Sequence, residues 1–281
     1  MPDIELSAGR IDYTDTGGPG ETVVLVPGLA FDDSVWQAVV DDLRADFRVV
    51  VPVLPIGSHR RAMRPEADLS ARGVADVLAE FMERLDLRDV TLVQNDAGTA
   101  QLLVGVRDAR IGRLVLTSCE ALENYPPGVQ GRTLHAASRI PGGLFLLLQS
   151  FRVPFLVRMP SSLGGMAKRP IPYELVRRWY TPLLTDRAVR RDFAKFCGSV
   201  EKDTYLRAAE RLREFRGPAL VAWGAEDRMM PPETGRRLAA LLPRGQYVEI
   251  PDSRTLIPLD NPRGLCAELR RFIKETGTDR A

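Results

Sequence analysis

The chain has 281 residues, 44% of them hydrophobic, with 39 basic against 37 acidic side chains and a formal net charge of +2. That length and apolar content bury one large core, so a single α/β domain carrying an insertion suffices and a second independent domain is not required. Basic residues are spread among acidic ones with no basic stripe for nucleic acid, and with only His59 and His135 in the chain no metal centre is expected.

The N-terminus, Met-Pro-Asp-Ile-Glu, lacks a basic start followed by an apolar core, so no export signal is visible and a cytoplasmic location is expected. Cys119, Cys197 and Cys266 fit the same compartment, being odd in number, widely spaced and without a CxxC pair. Residues 23–26 form a short apolar run stopped by Pro27-Gly28, which reads as a strand buried on both faces. Residues 48–53, 90–93 and 114–117 repeat the form, each separated by a helix-length segment, as a parallel sheet with crossover helices requires. The clearest crossover helix spans 71–85, with Ser70 as N-cap and Val74, Leu78, Phe81 and Leu85 on one face.

From 121 to 213 no strand is predicted, only helical segments broken by prolines. The expected organisation is therefore a core of 1–120 and 214–281 with a helical cap over 121–213. The most apolar stretch, 142–157, is interrupted by Gln149, Arg152 and Pro154 and is too short to cross about 30 Å of hydrocarbon, so a buried or cavity-lining helix is expected there. Strands resume at 219–223 and 247–250, a helix follows over 262–273, and the polar tail from Thr276 to Ala281 is expected to fray.

The segment Leu92-Val93-Gln94-Asn95-Asp96-Ala97-Gly98-Thr99-Ala100 follows a buried strand and is predicted to open a helix, with small residues after Asp96 where a sharp strand-turn-helix needs them. Such a turn lifts Asp96 at the C-terminal edge of the sheet, where the N–H of Ala97 and the helix start would stabilise negative charge. The plainer alternative is that Asp96 only caps that helix.

With these landmarks the chain resembles the aspartate-nucleophile branch of the α/β-hydrolases, the haloalkane dehalogenases and epoxide hydrolases. Leu25-Val26-Pro27-Gly28-Leu29 with Trp36 resembles the oxyanion loop, with Pro-Gly in place of the usual His-Gly. Leu54-Pro55-Ile56-Gly57-Ser58-His59 resembles the loop after the next strand, and Trp223-Gly224-Ala225-Glu226-Asp227-Arg228 the turn that carries the acid. Glu120, in Thr117-Ser118-Cys119-Glu120, occupies an alternative acid position used in some dehalogenases. The resemblance implies an α/β-hydrolase fold and a cofactor-free enzyme.

It also implies a histidine after the last strand, but that loop, Ile250-Pro251-Asp252-Ser253-Arg254-Thr255-Leu256, has Thr255 at the place. An ester formed by Asp96 would need a general base to activate water, and threonine cannot serve. Three alternatives stay open. His59 could supply the base, unless it is held within its own loop by Ser58, Arg60 and Arg61. Asp96 could itself be the general base or acid, its pKa raised by an apolar pocket and by Glu120 or Asp227, unless Asp227 is merely paired with Arg228 or Arg254. Or catalysis is lost and the fold binds a ligand.

In the resembled dehalogenases a tryptophan beside the nucleophile and an asparagine or tryptophan elsewhere hold the halide; here those positions are Ala97 and Leu29, which argues against dehalogenation. Epoxide hydrolases polarise the ring oxygen with cap tyrosines, for which Tyr125, Tyr173, Tyr180 and Tyr205 are candidates, with Trp179 beside one of them. The apolar run at 144–157 with Met159 and Met166 suggests a pocket for a small hydrophobic or aromatic substrate. The expected reaction is epoxide opening, with a cyclisation, elimination or rearrangement in natural-product metabolism as the alternative. Neither nucleic acid nor membrane is expected as a partner, and a homodimer is left open.

Overall fold

The computed structural model describes residues 1–277. Six strands are parallel: β3 (Thr22–Val26), β4 (Arg48–Pro52), β5 (Val90–Asp96), β6 (Ile111–Cys119), β7 (Ala219–Gly224) and β8 (Gly245–Ile250). Each coincides with an apolar run read from the sequence, and β5, β6 and β7 are buried at every residue because helices cover both faces of the sheet. Two further strands, β1 (Asp3–Leu6) and β2 (Gly9–Asp15), were not visible in the sequence. They form an antiparallel hairpin on β4, giving the sheet order β1-β2-β4-β3-β5-β6-β7-β8. As an edge, this hairpin carries paired charges, Arg10 with Asp3 and Glu5, in place of apolar residues.

Helices α1 (Gln37–Leu43) and α2 (Ala71–Arg84) lie in the first half of the chain. α2 begins where predicted, with Ser70 Oγ accepting the Gly73 N–H at 3.0 Å, and it buries Val74, Leu78 and Phe81. Between β6 and β7 lie only helical elements: α3 (Gly128–Ser138), α4 (Gly143–Gln149), α5 (Pro154–Val157), α6 (Tyr173–Thr185), α7 (Arg187–Ser199) and α8 (Thr204–Leu212), with short 3₁₀ turns. The helix expected over 142–157 is two helices, because Pro154 forces the preceding Val153 into extended backbone and starts α5 at its first position. Nor is that stretch fully buried: Phe145, Leu146 and Phe155 face solvent. After β7 come α9 (Pro232–Leu241), α10 (Ile257–Asp260) and α11 (Pro262–Gly277).

The tail expected to fray from Thr276 instead begins as ordered helix. Thr276 is buried, and its hydroxyl accepts from Nε of the fully buried Arg113 on β6 at 2.7 Å while donating to the Phe272 carbonyl at 2.7 Å. Residues 278–281 lie outside the described residues. Replacing Ser70 by Ala should lower stability by about 1 kcal/mol through the lost cap; urea unfolding should show a lower midpoint with an unchanged slope.

Candidate active site

Asp96 is the last residue of β5 and has φ +66°, a left-handed conformation that L-residues adopt rarely and aspartate tolerates better than most. The parallel register between β5 and β6 breaks between Asn95 and Asp96, and the Glu120 N–H donates to the Asp96 carbonyl at 2.8 Å. The turned backbone sends the side chain into a cavity of about 310 Å³, where it is 5% exposed. Its Oδ2 accepts the Leu29 N–H at 2.9 Å. Gly28 is required for this approach, since a Cβ there would sit 2.5 Å from both Cβ and Oδ2 of Asp96.

The helix expected to open at Asp96 is reduced to one 3₁₀ turn, Ala100–Leu103. Gln94 Oε1 accepts the Ala100 N–H at 2.6 Å, and extended Val104 followed by Gly105 at φ +71° ends the turn. A short turn thus stands where the helix start was expected, and Ala97 is buried without lining the cavity. The capping alternative does not hold either, because the residue before the turn is Thr99 and the Asp96 carboxyl is bonded to Leu29. Gly98 has a different task from the one read in the sequence: a Cβ there would lie 2.3 Å from the Tyr205 ring, so its absence seats that tyrosine.

Two further carboxyls stand close by. Glu120 lines the same cavity, and its Oε2 accepts the Tyr205 hydroxyl at 2.5 Å. Asp227 is buried behind the wall; its Oδ1 accepts from Met229 N–H at 3.0 Å, Met230 N–H at 2.9 Å and the Thr255 hydroxyl at 2.9 Å. No arginine pairs with Asp227 among the described residues, and the Arg254 amide goes to Asp260. Loss of water raises the Asp96 pKa to about 7, against the pull of the Leu29 amide and with the Asp227 charge adding to the rise. Burial and the Asp96 charge raise Glu120 to about 8. Burial raises Asp227 to about 6, with Met230 N–H, Thr255 and Ser118 pulling the other way.

Of the remaining sequence candidates, Leu29, Tyr125 and Tyr180 line the cavity. Tyr180 stacks on Phe151 with ring centroids 3.9 Å apart, and burial followed by the Asp96 charge raises its pKa, so its hydroxyl keeps its proton. Trp179 and His59 are not in the wall. Trp179 is core, its indole N–H donating to Ser34 Oγ at 2.9 Å. His59 is buried with Nδ1 accepting the Gly57 N–H at 3.3 Å and Nε2 3.4 Å from Asp192, so it ties its loop to α7 and cannot serve the cavity. Tyr173 donates to the Arg152 carbonyl at 2.8 Å.

His135 is the lining residue that sequence reasoning left without a role. It stands on α3 with Nδ1 3.4 Å from the Tyr125 hydroxyl, and burial, with Arg139 and Lys202, lowers its pKa, so it is neutral at pH 7. No local pattern in the sequence marks it, since only the folding of α3 brings it to the cavity. The rest of the wall is mainly apolar, including Leu134, Leu148, Phe151, Phe193 and Met166.

The sequence model of the alpha/beta hydrolase family matches residues 23–269. An uncharacterized hydrolase of Bacillus subtilis strain 168, YugF, is 37% identical over 277 residues, 94% of each chain. A 2-hydroxy-6-oxononadienedioate/2-hydroxy-6-oxononatrienedioate hydrolase of Paraburkholderia phymatum is 26% identical over 249 residues, covering 85% of this chain and 82% of its own. Among solved structures, a haloalkane dehalogenase loop variant from Bradyrhizobium elkanii superposes with a TM-score of 0.81 over 100% of this chain and 98% of its own, at 16% identity, a likeness of fold alone. With a match running from β3 into α11 and the sheet order described above, this chain belongs to the alpha/beta hydrolase family.

Proposed function

We propose that the protein is a cofactor-free enzyme that opens epoxides of small, uncharged, apolar substrates by carboxyl acid–base chemistry. The observation that carries this reading is the presence of two carboxyls, Asp96 and Glu120, with raised pKa values of about 7 and about 8 in one largely apolar cavity. Burial raises both and the Asp96 charge raises Glu120 further, so the pair shares a proton near neutral pH and offers a base and an acid to the same substrate. Asp96 takes a proton from water as the water oxygen attacks a ring carbon. The carbon–oxygen bond breaks, and the ring oxygen takes the Glu120 proton, with the Tyr180 hydroxyl as a neutral hydrogen-bond donor beside it. Return of the proton from Asp96 to Glu120 through solvent closes the cycle, with one water added.

Direct attack by Asp96, as in the resembled aspartate-nucleophile branch, is the less favoured route. It leaves an alkyl ester whose hydrolysis calls for a base of pKa near neutrality. Thr255, which takes the place of the implied histidine, donates its hydroxyl to Asp227 and offers no such base. The same feature supports a second reading. Where the attacking oxygen belongs to the substrate, Asp96 and Glu120 would close a ring without water.

Single turnover of styrene oxide in heavy-oxygen water separates these routes. Label in the diol and none in the Asp96 peptide is expected; label in the peptide would replace base catalysis by ester formation, and an unlabelled cyclic ether from a second epoxide that carries its own hydroxyl would favour ring closure. Asp96→Asn should lower turnover by about a thousandfold or more, and retention of activity would end the proposal. The wild-type profile of kcat/KM against pH should be a bell, rising through about 7 and falling above about 8 as Glu120 loses its proton, the two apparent values belonging to the pair.

The raised Asp96 pKa also bears on stability. The folded state holds that proton more tightly than the unfolded chain, whose value is the ordinary 3.8, so stability falls as pH rises from about 4 to about 7. Asp96→Asn should accordingly be more stable than wild type at pH 8, by up to about 4 kcal/mol, with the gap closing near pH 4 in denaturant titrations.

A further inference from the structure

We propose that α3, α4 and α5 form a peripheral docking surface for an anionic lipid bilayer, and that apolar substrate enters the cavity from that side. Most of the exposed large hydrophobic residues among those described fall between residues 129 and 159, led by Ile140 at 60%, Leu146 at 70% and Phe155 at 74% exposure. α3 packs on α4, which runs through a 3₁₀ turn into α5, so these side chains sit on consecutive, mutually packed elements. The near-neutral total charge hides a local excess. From Asn124 to Tyr173 there is no aspartate or glutamate, but there are Arg132, Arg139, Arg152, Arg158, Lys168 and Arg169.

Lys168 and Arg169 are paired with acids elsewhere, whereas Arg132, Arg139, Arg152 and Arg158 are exposed with no ion pair among the described residues. Apolar tips among unpaired guanidinium groups match a phosphate-bearing interface, where the tips enter the acyl boundary and the cations meet headgroups. A second copy is the poorer occupant. A two-fold contact through this face would set arginines against arginines with no acid to separate them. Nor is a membrane span implied, since no helix of the described residues is long and apolar enough to cross one. The expectation that membranes play no part rested on span length, which an interfacial contact does not need.

The cavity opens through the same segment: Thr133, Met159 and Ser161 are exposed and also line it. A lipid-dissolved substrate would therefore reach Asp96 without crossing bulk water. The docking surface does not depend on the epoxide chemistry, and its test reads binding alone.

Flotation of the full chain should show at least about tenfold more protein with phosphatidylcholine vesicles containing about one-third phosphatidylglycerol than with pure phosphatidylcholine, the difference collapsing in about 0.5 M salt. Leu146→Ser with Phe155→Ser, and Arg132→Gln with Arg139→Gln, Arg152→Gln and Arg158→Gln, should each abolish flotation while leaving the thermal midpoint unchanged. Equal recovery with neutral and anionic vesicles, no recovery with either, or variants that float like wild type would overturn the proposal. So would light scattering that gives the mass of two copies for wild type and one copy for the serine variant, since the face would then belong to a dimer. The wild-type lipid and salt comparisons decide the matter even if a variant fails to fold.

Discussion

The site depends on one constraint, a carboxyl kept out of water on a left-handed residue at the end of a buried strand. Asp96 cannot relax into ordinary strand geometry, because its carbonyl is held by the Glu120 amide and its side chain by the Leu29 amide. Gly28 supplies the space for the second contact. One amide does not offset the loss of hydration, and the remainder appears as a pKa near neutrality. The surrounding core, continuous across both faces of the sheet, supplies the rigidity that keeps this unfavourable arrangement in place.

Burial raises all three carboxyls, and the donors and charges around each set how far it rises. Asp227 has two backbone amides and the Thr255 hydroxyl on one oxygen and is raised least. Asp96 has a single amide and stands higher. Glu120 has the Tyr205 hydroxyl but also faces the charge of Asp96, and it stands highest. Three acids in a common low-dielectric region are thus prevented from ionising together, which is the physical basis for giving them different chemical tasks.

The parallel strands were legible because burial on both faces writes an uninterrupted apolar run, as in β3 and β5. The hairpin of β1 and β2 was not, because an edge strand exposes charged residues and its runs look like loop. Asp96 could be found from its flanking small residues, although Gly98 is small for the sake of Tyr205 and the helix expected next is barely a turn. Histidines were the hardest to read. His59 sits in a loop of the right order in the chain, yet Asp192 on α7 draws it away, whereas His135 reaches the cavity only because α3 folds over it. Such choices are made by tertiary packing, which leaves no local pattern.

The Tyr205 hydroxyl on Glu120 and its ring against Gly98 fasten α8 to the strand ends beside the reactive carboxyl. Lifting that helix would strip Glu120 of its donor and flood the chamber, restoring ordinary acidity to the very groups whose shifted protonation makes them useful.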